Sequence, residues 1–391
     1  MALMSMTSEI YKALDDGNIV VDIFLDFSEA FDTVNHDILL DKLYHYGIRG
    51  NAYNWFVSYL SERKQYVTYN NVTSCTKEVS CGVPQGSILG PLLFLLYIND
   101  LVSIRHKSKP ILFADDTNLF YKGNDADMLA DEINNELRQI SLWLKINKLS
   151  LNIGKTHFMI FTRKKRIKEI EIQIDGKNIE KVNSTKFLGV IIDHKLKWSE
   201  HVKYIAGKIS RSCGVLNRAR RCLNRSAMLT LYYSFVYPYI TYCNHVWGST
   251  YPSNTDKLLK LQKRALRIMF KLKRRESTAP LYPKLNILRF NDINIYLISR
   301  FLYRYNACLL PDTFSGYFIP NTEIHNYNTR RRHHFHPPLV RSEMSKFGIQ
   351  YRGAIIWNHI LDLGIDTSVS EPIFMKSIKR MLINNKLAIS D

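Results

Sequence analysis

Residues 111–121 read Ile-Leu-Phe-Ala-Asp-Asp-Thr-Asn-Leu-Phe-Tyr, two apolar runs around an acidic pair. The pattern predicts a β-hairpin with Asp115 and Asp116 at its tight turn. Adjacent carboxylates repel one another and add nothing to packing. Two explanations stand. Asp is common in turns because it hydrogen-bonds the local backbone. Paired acids also suit a hard divalent cation, Mg²⁺ or Mn²⁺, which prefers carboxylate oxygen. The hairpin alone leaves both open.

The rest of the chain narrows the choice. Its 391 residues are enough for two or three domains. The net charge of +19 points to a polyanion, nucleic acid before an anionic membrane surface. That charge is segregated: residues 1–130 hold 10 Lys and Arg against 16 Asp and Glu, a net of −6, and the remainder holds 44 against 19, a net of +25. Metal chemistry in front and a polyanion grip behind fit this division. Six cysteines without CxxC spacing indicate neither a zinc module nor a disulfide framework, and so a reducing compartment. His333, His334 and His336 read as part of a basic tail, with metal binding as the alternative. The first residues lack the pattern of a signal peptide. The longest apolar run, Ile88 to Leu101, is too short to span a bilayer. A soluble intracellular protein is expected, with nucleus or cytoplasm undecided.

Along the chain, Ser8–Asp16 reads as a helix end closed by Gly17, and Ile19–Leu25 as a largely buried strand. Asn35 caps a helix that Gly47 stops. Tyr53–Leu60 predicts a short helix with buried aromatics. Strands around Asn70-Asn71 form a hairpin, and a Gly/Pro-rich loop from Gly82 to Pro91 feeds an apolar helix. Apolar spacing from Leu129 to Leu144 predicts an amphipathic helix over 125–146. Thr156–Phe161, a hairpin turning at Asp175-Gly176, and Phe187–Ile192 read as strands. Beyond Trp198 the pattern is helical almost to Cys308, and from Pro311 it is loop-rich with one helix at the end. An α+β domain followed by an all-α one is expected.

Asp26 stands at the end of the first strand. A strand and a hairpin sharing one sheet bring Asp26, Asp115 and Asp116 together as a cup for two divalent ions about 3.5–4 Å apart, the arrangement of in-line phosphoryl displacement. The loop Pro84-Gln85-Gly86-Ser87 supplies a partner, since glycine lets backbone approach a nucleotide and proline stiffens the approach. A plain helix start with Ser87 as N-cap explains the same loop.

Three blocks, Leu25–Asp32, Gly82–Pro91 and Phe113–Asp116, resemble in that order the sequence blocks of reverse transcriptases. Leu149–Thr156 and Lys186–Gly189 resemble the next two. The non-LTR retrotransposon type, jockey-like elements above all, is the nearest resemblance, and His325–Arg330 with Tyr351–Asn358 resemble that group's C-terminal region. The resemblance implies an α+β fold: a palm-type antiparallel sheet with packed helices over 1–198, an α-helical thumb over 199–275, and a helical, basic, loop-rich region over 276–391. It implies that Asp26 and Asp115 bridge two Mg²⁺ ions (Mn²⁺ as substitute), with Asp116 completing the acidic cluster and the Phe27 carbonyl adding an oxygen. Phe31 would lie under the incoming sugar and reject a 2′-hydroxyl; a core phenylalanine is the alternative. Gln85 and Gly86 would line nucleotide and template. Lys155 would protonate pyrophosphate, or simply face solvent. Phe187, Leu188 and Gly189 would grip the primer end as a hairpin, or form a buried strand.

The basic run Lys263–Arg275 alternates cations with apolar residues as an amphipathic helix does. Lys263, Arg264, Arg267, Lys271, Lys273 and Arg274 would then meet phosphates of an RNA–DNA heteroduplex. Solvated helix faces, an import signal or a calmodulin-type target are the alternatives. The implied function is RNA-directed DNA polymerisation, adding dNTPs to a DNA primer on an RNA template, with no membrane partner. Asp26 follows the start by only some 25 residues, so the resemblance also implies that the N-terminal fingers and the endonuclease are missing, or encoded separately. An inactive remnant that binds nucleic acid through its basic half is the competing expectation. A two-metal nuclease leaves the Pro-Gln-Gly loop and Phe31 without a use.

Overall fold

The computed structural model describes residues 1–104, 107–324, 331–384 and 387; the His325–Arg330 block lies outside them. Two compact units divide the chain. One takes residues 17–183, and the other takes residues 3–16 with 184–391. The opening helix α1 (Ala2–Asp15) thus belongs to the second unit.

In the first unit, β1 (Ile19–Leu25) is buried at all seven positions. Four of the seven are Ile or Val, whose branched Cβ suits a pleated strand packed on both faces. Helices α2 (His36–His45), α3 (Gly50–Leu60), α4 (Leu89–Ile98) and α5 (Ala126–Ile146) follow, interleaved with β2 (Lys109–Phe113), β3 (Asp116–Gly123), β4 (His157–Phe161) and β5 (Glu180–Lys181). The sheet order is β5-β4-β1-β3-β2. β1 is central and antiparallel to both neighbours: Leu25 faces Thr117 on β3, and Phe24 faces His157 on β4. Local signals set the helix ends. The Asn35 side chain accepts from the Ile38 amide, and Asp125 accepts from the Asp127 and Met128 amides.

Strand parity divides the sheet. Ile19, Val21, Ile23 and Leu25, with Leu119, Tyr121, Phe158 and Ile160, enter one core with Leu39, Leu43, Phe94, Ile133 and Leu137 from the helices. The alternate residues, including Asp22, Phe24, Asn118, Phe120 and Met159, lie on the opposite face and are also buried. Asp22 was not anticipated: it is fully buried in mid-strand, and burial pushes its carboxyl well above the ordinary value.

The second unit adds the hairpin Ser184–Phe187/Val190–Asp193 and helices α6 (Ser199–Ala219), α7 (Arg225–Phe235), α8 (Pro252–Met269), α9 (Phe290–Asn306), α10 (Ile349–Asp362) and α11 (Glu371–Ile383). α8 packs on α6, and α9 packs on α10 and α11. Gln262, fully buried on α8, holds three partners: it donates to Tyr232 Oη (3.0 Å) and the Leu288 carbonyl (2.9 Å) and accepts from the Phe290 amide (3.0 Å). Asp193 braces the turn into α6, accepting from the amides of Lys195, Lys197 and Trp198.

Several expectations are corrected. The aromatics of α3 are not buried: only Leu60 is, and Trp55 is 52% exposed. Phe187–Ile192 is no single strand; it turns at Leu188 and Gly189, both with positive φ. The basic helix stops at Met269, so Lys271, Lys273 and Arg274 lie beyond it on a loop that starts with Lys271 at φ 56°. Among the described residues from 311 onward there are two long helices rather than one. His334 is buried against Asp362 at 3.5 Å rather than lying in an exposed tail. No helix of the described residues is long and apolar enough to cross a membrane.

Candidate active site

Asp26 follows the last residue of β1, and the backbone around it is tied to the Leu149–Thr156 segment. Asn152 N donates to the Asp26 carbonyl (2.8 Å), Asp26 N donates to Thr156 Oγ1 (3.3 Å), and Ser28 N donates to the Ser150 carbonyl (2.9 Å). Phe27 pairs with Leu151 in the same bridge and is buried. The sequence singled out this block through Lys155. What the block does locally is clamp the Asp26 backbone, through Ser150, Asn152 and Thr156, which carried no catalytic signal of their own.

The hairpin turn consists of Ala114 and Asp115, with Ala114 at φ 54°, and Asp116 is already the first residue of β3, opposite Phe113. The two acids therefore do not share the turn. Extending the β1–β3 register one step beyond Leu25–Thr117 sets Asp26 beside Asp116, on the sheet face that carries Asp22 and Asn118. The Asp116 carboxyl is raised above its ordinary 3.8 by partial burial, then by the charges of Asp115 and Asp26. Lys155 Nζ lies 4.0 Å from Asp26 Oδ2 and is well exposed. Among the described residues no group of three His, Cys, Asp or Glu already stands close enough to hold a metal ion. The donor set nevertheless suits a hard cation: three carboxylates at one end of the central strands, one of them raised by partial burial and then by the charges of the other two.

The Gly82–Pro91 loop is fastened to the segment after Asp26. The amides of Gly82 and Val83 donate to the Val34 and Phe31 carbonyls (2.7 and 2.8 Å), and His36 Nε2 donates to the Gly82 carbonyl (2.8 Å). Gln85 Nε2 donates to both carboxylate oxygens of Asp32 (3.0 and 2.9 Å). Gly86 turns with φ +80° in open space. Ser87 Oγ accepts from the Gly90 amide (2.9 Å) and donates to the Pro84 carbonyl (2.8 Å), but the N-cap of α4 is Ile88 rather than Ser87. Phe31 is half-buried against Phe94, ring centroids 4.7 Å apart. In the second unit, Phe187 is buried, and the Leu188-Gly189 turn is pinned by Tyr242 Oη donating to the Leu188 carbonyl at 2.8 Å. Lys263 and Arg267 on α8 are half-buried and Arg264 is exposed; Arg267 Nε donates to the Glu276 carbonyl.

Comparison with known proteins identifies the class. The family described as reverse transcriptase (RNA-dependent DNA polymerase) matches residues 4–192, so the chain carries a domain of that family there. Within that class its relatives are enzymes of non-LTR retrotransposons. It is 30% identical over 275 residues to a probable RNA-directed DNA polymerase from transposon X-element of Drosophila melanogaster, covering 68% of this chain and 30% of that protein. It is 28% identical over 316 residues to the probable RNA-directed DNA polymerase from transposon BS of the same organism (77% and 34%). The polymerase from mobile element jockey is 27% identical over 267 residues (66% and 29%). The chain spans about a third of the length of these relatives. Apo telomerase from Candida tropicalis overlays 80% of this chain and 54% of its own at a TM-score of 0.38 and 14% identity, a likeness too loose to argue from.

Proposed function

We propose that this chain supplies the palm and the following helical region of an RNA-directed DNA polymerase, which extends a DNA primer on an RNA template from dNTPs. The observation that carries the reading is the meeting of Asp26, Asp115 and Asp116 at one end of the central strands, where partial burial and then the other two charges raise the Asp116 carboxyl, in a chain whose residues 4–192 match the reverse transcriptase family. Asp26, Asp115 and Asp116 would hold two Mg²⁺ ions, which when bound promote ionisation of the primer hydroxyl and offset charge on the departing pyrophosphate. Lys155, beside Asp26 and open to solvent, would give its proton to that pyrophosphate. Phe31 would limit the room at the sugar's 2′ position, its ring braced by Phe94. Gln85, locked onto Asp32, would present the Pro84–Gly86 backbone to nucleotide and template. Phe187, Leu188 and Gly189 would hold the primer end. Lys263, Arg264 and Arg267 on α8, with Lys271, Lys273 and Arg274 on the loop beyond it, would meet phosphates of the heteroduplex.

Primer extension on an RNA template with Mg²⁺ or Mn²⁺ tests the assignment. Asp115→Ala should abolish extension, a loss of at least about 10³-fold on the scale of removing one stabilising charge from a reaction centre. Extension that survives the substitution would refute it. No extension by the intact chain, with RNA binding retained, would favour the nucleic-acid-binding remnant.

A further inference from the structure

The first unit carries a second feature, which neither the three acids nor the Gly82–Pro91 loop uses. Helix α3 and the long β-arm after it expose aromatic rings that folding normally hides. Trp55 is 52% exposed, Tyr66 63% and Tyr69 76%, and Tyr44 at the end of α2 is 49% exposed. The rings are ordered against one another. Trp55 stacks on Tyr59 with centroids 5.2 Å apart and planes 13° apart, and Tyr44 meets Tyr53 edge-on. Cations accompany them: the Arg49 guanidinium sits 3.3 Å from the Tyr44 centroid, and Arg63 lies over Tyr59 at 5.6 Å. In a front half that is acidic overall, residues 44–79 hold four Lys and Arg against two acids.

The arm pairs Lys64-Gln65 with Lys77-Glu78 and Thr68-Tyr69 with Val72-Thr73, turning at Asn70-Asn71, both at positive φ as a tight hairpin requires. Every paired position is exposed. At its base Arg63, Gln65 and Glu78 share a cavity of about 470 Å³ with Pro84 and Gln85. The arm thus opens onto the loop assigned above to the template.

We infer that this aromatic and arginine surface is a stacking platform for single-stranded RNA, the part of the template not yet paired, leading to the Pro84–Gln85 loop. Bases stack on aromatic faces whatever their sequence, and guanidinium groups attract the intervening phosphates. A protein partner would not need cations seated on the rings. The inference rests on the polymerase reading only for the name of the strand; the binding chemistry stands apart from catalysis.

The test uses the full chain in EDTA without nucleotides, so the result does not depend on polymerisation. The probe is an unstructured A/U RNA of about 12 nucleotides, within the usual site size, at about 200 mM salt to suppress purely ionic binding. Trp198, Trp247 and Trp357 are buried and Trp143 is half-buried, and the emission lost in Trp55→Phe isolates the exposed indole from all four. That emission should be quenched by the RNA. The double substitution Trp55→Ala/Tyr59→Ala should weaken binding at least about tenfold, and Trp55→Phe should retain it. Trp55 emission unchanged at saturating RNA, or undiminished affinity in the double variant, overturns the inference. So does loss of self-association in the double variant with RNA affinity intact, which would make the surface a protein interface.

Discussion

Three glycines of the Gly82–Pro91 loop separate the two reasons a backbone excludes a side chain. At Gly82 both apply: φ is +87°, and an added Cβ would stand 2.8 Å from the Asp32 carbonyl oxygen. At Gly86 only the dihedral applies, φ +80° with nothing within 4 Å. At Gly90, in the first turn of α4, only the contact applies, since a Cβ would lie 2.5 Å from the Pro84 carbonyl oxygen. A left-handed dihedral costs a non-glycine residue about 1–2 kcal/mol, and forcing atoms into packed backbone costs about 1–3 kcal/mol. Alanine in a helix returns about 1 kcal/mol relative to glycine. Substitution by Ala should therefore destabilise by about 1–2 kcal/mol at Gly86, about 0–2 kcal/mol at Gly90 and about 2–5 kcal/mol at Gly82. Urea unfolding of the three variants measures the series. Equal losses at Gly82 and Gly86 would show that the approach of Asp32 does not hold the loop, and would remove the reason given for how Gln85 is positioned.

Other outcomes follow from the same geometry. With Asp116 raised by partial burial and then by its two acidic neighbours, Asp116→Asn should stabilise the ion-free protein by about 1 kcal/mol, the scale of like charges about 5 Å apart under water-like screening. Saturating Mn²⁺ should raise the melting temperature of the wild type and not of the variant. His201, 2% exposed and accepting from the Ile191 amide, has its pKa lowered to about 4 by burial. The unfolded chain therefore binds the proton first, and stability present above pH 6.5 is lost as pH falls toward 4. That loss is worth about 3 kcal/mol, and His201→Gln should flatten that part of a pH series of urea midpoints. Gln262→Leu strands the Phe290 amide and two acceptors in the interior of the second unit, and chemical unfolding should record a loss of about 3 kcal/mol or more.

Local chemistry was legible wherever it decides structure within a few residues. Asn35 caps its helix, Asn70-Asn71 turn their hairpin, and the β-branched run of β1 is a strand over its full predicted length. The acids were legible as a motif, but not their division between turn and strand, which depends on Ala114 taking the left-handed dihedral. Neither the clamp of Asn152 and Thr156 on Asp26 nor the buried Asp22 could be read from spacing. The first joins segments more than 120 residues apart, and the second depends on what covers the far side of the sheet. The aromatics of α3 misled for a different reason. Their spacing is that of a buried stripe, and nothing in composition tells a ring that packs inward from one left open. Helix α10 was missed although Ile349, Ile356, Trp357 and Ile360 lie on its buried side, because the Gly-, Pro- and His-rich stretch before it reads as loop.

The parity of the central strands has a consequence for how the acids find each other during folding. Were β3 to dock one residue out of step, Asn118 and Phe120 would replace Leu119 and Tyr121 against the helices, and an amide would meet hydrocarbon. Such a misalignment is rejected by oil and water alone, before any ion or nucleotide arrives. The meeting of Asp26 and Asp116 is thus proofread by the greasy side of the sheet, and a substitution at Leu119 can disable the acids without touching them.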